Sequence, residues 1–288
     1  MSLFDSRSLL PLIALLAACG TKDASKSAAN VSDSSHVVAA APHQMTINAT
    51  EYKFEAPDQV PAGLMTVHLV DNGSELHHVA FVKLNDGKTM ADVEQLFKNP
   101  GPMPSWAVDY GGVNAPHPGG GMATTTQMLE PGNYALLCFI PDANGVPHFA
   151  KGMVRPLTVV PDSGTSAAAP AADITLTLND YSFTTSKPIT SGSHTIKVEN
   201  NASQSHEVQL FRLAPGKKAS DVTAWVEKPI GPPPGEPIGG VPAMAHGETA
   251  YVSADFTPGD YALICFLPGA KDGKPHFTHG MIEQVHVD

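Results

Sequence analysis

The chain has few cysteines and little charge. Three cysteines in 288 residues leave room for at most one internal disulfide. Charged residues make up 16%, with 17 Lys and Arg against 28 Asp and Glu, a formal net charge of −11. That imbalance argues against nucleic acid as a partner, because its phosphates would repel the chain. The scarcity of charge does not indicate disorder, since 42% of residues are hydrophobic, as in globular proteins. Long apolar runs are also missing. The run from Leu9 to Ala18 is too short for a comfortable membrane span.

Turn formers, by contrast, are abundant. With 25 Gly and 26 Pro, the composition suits a turn-rich all-β protein. The N-terminus reads as an address: Arg7, the apolar run, then Cys19. "LAAC" (Leu16 to Cys19) resembles a bacterial lipobox. The resemblance implies cleavage before Cys19, lipid attachment to its thiol, and residence in the bacterial cell envelope. Residues 1–18 are then a lipoprotein signal peptide. Residues 19–44, small and polar, form a tether unable to bury a core. Residues 161–172 have the same character and read as a linker.

The remainder, 45–160 and 173–288, is one repeat written twice. "EYKFEAPDQVPAG" aligns with "DYSFTTSKPITSG", and "PGNYALLCF" with "PGDYALICF". Copies of this length indicate duplication rather than a solenoid. Each copy shows short β-rich segments bounded by turn residues, interrupted by one helix. In the first copy Thr89 is placed as N-cap with Asp92 three residues on. In the second, Val222, Trp225 and Val226 fall on one helical face.

Four chemically active positions repeat. His77 aligns with His206, Cys138 with Cys265, His148 with His276, and Met153 with Met281. Two imidazoles, a thiolate and a thioether are the donor set of a type 1 copper site, the soft sulfurs favouring Cu(I) and imidazole serving both oxidation states. Asn72 and Asn201 also repeat, and are expected to hydrogen-bond the loop that positions His77 or His206. His78 and His279 lack matching histidines, facing Glu207 and Lys151 in the alignment, and stay outside the ligand set; His68 and His194 read as surface residues. Other readings remain open: a buried Cys as a small hydrophobe, or a Cys138–Cys265 disulfide.

On these motifs both copies resemble cupredoxins, the blue copper fold. The resemblance implies an all-β chain of two tandem cupredoxin-like Greek-key β-sandwiches, each with a short helical excursion. It implies up to two type 1 coppers, held by His77, Cys138, His148 and Met153, and by His206, Cys265, His276 and Met281. Four residues separate His from Met, as in the family. Nine residues separate Cys138 from His148, and ten separate Cys265 from His276, more than small cupredoxins use. Such a loop is closer to that of copper nitrite reductases and is expected to expose the metal or alter its geometry. Two-domain copper enzymes resemble the chain too, but their inter-metal wiring places a His beside the Cys, where Leu137 and Ile264 stand; no His-x-His pair occurs. The expectation is therefore no enzyme. An exported one-electron carrier is expected, working with a redox partner or a copper donor or acceptor. The alternatives are a metal-free envelope module and a copper storage or delivery protein.

Overall fold

Alternation fixes the strands. In β1 (His43–Thr50) Met45, Ile47 and Ala49 are buried while their neighbours face outward, and β10 (Ile174–Asn179) repeats this with Ile174, Leu176 and Leu178. The computed structural model describes residues 40–98, 103–164 and 166–288. The expected leader, Cys19 and the tether as far as residue 39 lie outside these described residues. Among the described residues no helix is long and apolar enough to cross a membrane.

The first copy contributes β1, β2 (Lys53–Glu55), β3 (Gln59–Pro61), β4 (Gly63–Asp71), β5 (Val79–Leu84), β6 (Ala107–Val113), β7 (Gly121–Leu129), β8 (Gly132–Leu137) and β9 (Val154–Val160). The second contributes β10, β11 (Ser182–Thr185), β12 (Gly192–Asn200), β13 (His206–Leu213), β14 (Gly235–Met244), β15 (Thr249–Phe256), β16 (Gly259–Ile264) and β17 (Ile282–Val287). Each copy closes its own apolar core between two sheets. One core gathers Ile47, Phe81, Tyr134 and Leu157, the other Leu176, Val198, Leu210 and Tyr261.

The two sheets do not stop at the copy boundary. One runs β11-β10-β12-β15-β7-β4-β1-β2, the other β17-β16-β13-β14-β6-β5-β8-β9-β3. The joins are β15 against β7 and β14 against β6, both antiparallel. In the first join Thr125 pairs with Val252, the residue it aligns with. In the second, the Tyr110–Met244 bridge recurs in reverse as Ile238–Pro116, Tyr110 aligning with Ile238 and Met244 with Pro116. The copies therefore meet about a local two-fold axis, as identical subunits do in an isologous dimer.

A short helix covers the outer face of each copy. In α1 (Met90–Lys98) the Thr89 amide donates to Asp92 at 3.0 Å, the cap expected from sequence. In α2 (Ala219–Glu227) the buried face is Ala219, Val222 and Thr223, while Val226 is exposed. The expected Val222–Trp225–Val226 face is corrected accordingly: Val222 points inward, and Trp225 reaches back to Gly231 O at 3.1 Å.

Candidate metal centres

Neighbouring strands bring the first His and the Cys together. His77 lies two residues before β5, Cys138 immediately follows β8, and β5 pairs with β8 through Ala80–Leu137. His206 opens β13, Cys265 follows β16, and these strands pair through Gln209–Ile264. After each Cys the chain leaves the sheet, folds into a hairpin closed by a Pro141–Pro147 or Pro268–Pro275 bridge, and returns. On return the His148 amide donates to Ile140 O and the Phe149 amide to Cys138 O, both at 2.9 Å. The His276 amide bonds Leu267 O at 2.8 Å and the Phe277 amide bonds Cys265 O at 3.1 Å.

This answers the long-loop question. The surplus residues form an exposed hairpin, held in the first copy by the Asn144 and Val146 amides on Asp142 Oδ1. His148 and His276 are each 1% exposed, and both cysteines and both first histidines are 0% exposed, so the expected opening of the site is corrected to a closed one. One 3-10 turn begins at each second His, and the Met amide then donates to that His carbonyl: Met153 to His148 O at 3.0 Å, Met281 to His276 O at 3.1 Å. Each Met carbonyl in turn accepts from its Cys amide, and each thioether-bearing residue is fully buried in its Cys core cluster.

The donor atoms converge. In each group of His77, Cys138 and His148, and of His206, Cys265 and His276, one atom per residue lies within 4.8 Å of the others. Nδ1 of His77 is 3.1 Å from Nδ1 of His148, and Cys138 Sγ is 3.5 Å from the latter. Cys265 Sγ lies 3.3 Å from His276 Nδ1 and 3.9 Å from His206 Nδ1. Both cysteines are free thiols, so the disulfide alternative is absent. Burial lowers His77 and His276 to about 4, and lowers His148 and His206 as well. Burial pushes the Cys138 thiol up to about 12 and raises Cys265 too. Neutral imidazoles and a buried thiol, with ring nitrogens aimed at one another, suit a shared soft cation whose capture expels the thiol proton.

The loops before the first His are held differently from expectation. Asn72 and Asn201 are exposed, and the Asn72 side chain reaches only Asn48. Their predecessors do the work. Asp71 accepts from the Gly73 amide at 3.1 Å and the His77 amide at 2.9 Å; Asn200 accepts from Ala202 and donates to Gln204 O and Met244 O. Phe139, Phe149, Phe266 and Phe277 pack in the helix-covered clusters. Tyr52 and Tyr181 instead set their rings edge-on to His148 and His276, both at 5.1 Å. Both tyrosines hold positive φ, 58° and 62°, a strained state for a bulky side chain that both copies retain. His194, expected at the surface, is buried against Asp173.

His78 and Glu207 follow the first His in each copy, and both are buried. Each accepts from the amide after the Cys: Phe139 N–H to His78 Nε2, and Phe266 N–H to Glu207 Oε1, both at 2.9 Å. Burial pushes Glu207 up to about 7. In metal-free protein the folded state thus keeps a proton that the unfolded chain, titrating near 4.5, has lost. Stability falls as pH rises through that window and stays low above it. Glu207→Gln removes this loss. Metal-free Glu207→Gln protein is expected to gain about 3 kcal/mol over its parent near pH 8 and nothing near pH 4. Urea melts at the two pH values measure the difference, and an equal gain at both contradicts the assignment.

No family model matches this chain, and no curated protein does. Solved structures do. Auracyanin from Roseiflexus castenholzii is similar at 25% identity over 42% of this chain and 100% of that one, with a TM-score of 0.29. Copper nitrite reductase from Nitrosomonas europaea is similar at 14% identity over 85% of this chain and 93% of that one, TM-score 0.25. Blue copper oxidase from Nitrosomonas europaea is similar at 14% identity, covering 85% of both chains, TM-score 0.24. Matches across 85–87% of this chain are multicopper oxidases and copper nitrite reductases by name, so the expectation of no enzyme is withdrawn. That expectation rested on missing histidines beside Cys138 and Cys265, which bears on one wiring pattern and not on the chain's chemistry as a whole. The described chain is thus an all-β pair of cupredoxin-like sandwiches, each carrying one buried His–Cys–His group.

Proposed function

We propose that each His–Cys–His group, completed by Met153 or Met281, holds one copper ion as a type 1 site, and that the chain is an exported, lipid-anchored one-electron carrier. The observation that carries this reading is the twofold recurrence of a fully buried donor set. Bound copper supplies a one-electron couple. The chain supplies a fixed cage: a Cys and a first His at the ends of paired strands, a second His whose neighbouring Phe amide bonds the Cys carbonyl, and a Met tied to both Cys and second His by backbone bonds. Such a cage resists rearrangement when the charge of its contents changes. Tyr52 and Tyr181 close the imidazole edges against water. The partner is a redox protein or a copper donor or acceptor in the cell envelope.

Copper loading tests the reading. The expected result is two ions per chain, an intense visible thiolate band and a reversible one-electron wave. Absence of copper under conditions that load a known cupredoxin overturns it. Fast copper loss to a modest chelator, with no reversible wave, replaces the electron carrier with a copper carrier. Anchoring is tested separately: Cys19→Ser is expected to shift the protein from the membrane to the soluble fraction, and unchanged partitioning removes the lipid anchor.

A further inference from the structure

The side chains next to the two first histidines meet at the copy junction. His78 accepts the Phe139 amide proton at Nε2, so its Nδ1 carries the ring proton and donates to Asn114 Oδ1 at 3.1 Å. The Asn114 amide nitrogen donates to Val208 O at 3.1 Å, which fixes its orientation, and lies 3.5 Å from Glu207 Oε2. Glu207 Oε1 accepts the Phe266 amide proton. The chain of bonds is continuous from Cys138, through Phe139, His78, Asn114, Glu207 and Phe266, to Cys265.

Three features mark this chain as more than packing. His78, Asn114 and Glu207 are 7%, 2% and 5% exposed, and burying three polar side chains is costly where apolar ones would fill the space. The link also breaks the local two-fold. His78 aligns with Glu207, and Asn114 aligns with Pro242, which has no amide side chain. A leftover of duplication would be symmetric; this junction is built once. Finally, both of its ends are amides directly bonded to a cysteine that faces a metal pocket.

We propose that His78, Asn114 and Glu207 are the internal electron-exchange route that couples the two metal pockets. The proposal rests on both pockets holding copper. With copper in both pockets, one electron would pass from the reduced to the oxidised ion, with no bond broken and no net proton moved. The three residues are positioning residues, aligning orbitals along a bonded path rather than touching the metal. The two pockets then act as one two-electron unit that takes an electron at either end.

The test uses the full copper-loaded chain and Asn114→Leu, which keeps the branched shape and cuts the middle of the path. Each protein is partly reduced by a radical pulse, and redistribution of the electron between the sites is followed optically. The expected result is unchanged copper content and visible bands, with exchange about tenfold slower in the variant. Asn114→Ser, whose one hydroxyl cannot bridge both neighbours, is expected to slow exchange similarly and serves where the Leu variant does not fold. Gln209→Leu removes comparable junction hydrogen bonds, to Ala115 O and Gly239 O, off the path. It is expected to leave exchange unchanged, and equal slowing there overturns the proposal. A second readout needs no electron transfer: Cu(I) added to Cys265→Ala, which retains only the first pocket, is expected to shift the Phe266 amide resonance, and not when Asn114 is also Leu. Failure of the parent to load copper overturns the copper reading and the link with it. Normal loading with exchange unaltered in both Asn114 variants overturns the link alone.

Discussion

Cys138→Ala is expected to empty the first pocket and leave the second filled, and Cys265→Ala to do the reverse. Copper per chain falls from two to one in each variant and to none in the double variant. The physical ground is that each donor set lies wholly within one copy, its Cys and Met in that copy's apolar core. The thiolate is the one anionic donor in each set. Without it, two neutral imidazoles and a thioether remain to hold a cation in a buried, low-dielectric pocket. The fold is expected to survive, because trimming one buried sulfur costs only about 1–2 kcal/mol. Metal analysis and thermal melts on the same samples check both points. Loss of both ions from either single variant contradicts independent sites.

The second large effect lies at the copy junction. Gly112→Ala and Gly240→Ala are each expected to destabilise the metal-free protein by about 4 kcal/mol or more, at the upper end of single substitutions. Gly112 has φ 122°, and a Cβ there would sit 2.1 Å from Val79 O; Gly240 has φ 131°, with Val208 O at 2.0 Å. Backbone oxygen cannot swing aside as a flexible side chain can. Both glycines sit beside bulges on the strands that follow the first histidines, between Ala80 and Val82 in β5 and between Leu210 and Phe211 in β13. The substitution also forces an L side chain into a backbone region that only Gly visits freely. Urea unfolding measures the loss, and a change within about 1 kcal/mol would mean that the bulge relaxes around the new methyl.

The convergence of each His–Cys–His group was legible because duplication provided an internal comparison: these residues kept register while the sequence between them drifted. The strands were legible from alternation. The same alternation corrects the misplaced loop anchors. Met65, Val67, Leu69 and Asp71 all face inward along β4, so Asn72, one step on, must face out. Asp71 and Asn200 also align, both able to accept an amide proton, and the period-two count would have chosen them over Asn72 and Asn201. Tyr52 and Tyr181 repeat visibly, but nothing in residue type announces an aromatic in a left-handed backbone state. The closure of the long Cys–His loops was hidden for another reason: loop length counts residues, not where they go, and here the excess points outward. The role of His78 depended on Asn114 and on the other copy, contacts too distant in sequence for local pattern to reveal.

The two-fold join has a consequence for how this molecule persists. In a single copy β6 and β7 would be bare sheet margins, each a template for pairing with whatever strand came near. Here β14 and β15 occupy them. A dimer of separate copies would do the same only above its dissociation constant, and dilution would uncover both margins. Carrying the copies on one chain turns that encounter into an intramolecular one, with an effective concentration set by the connecting segment rather than by supply. Duplication therefore gave this protein an assembly that cannot dilute apart, along with its second pocket.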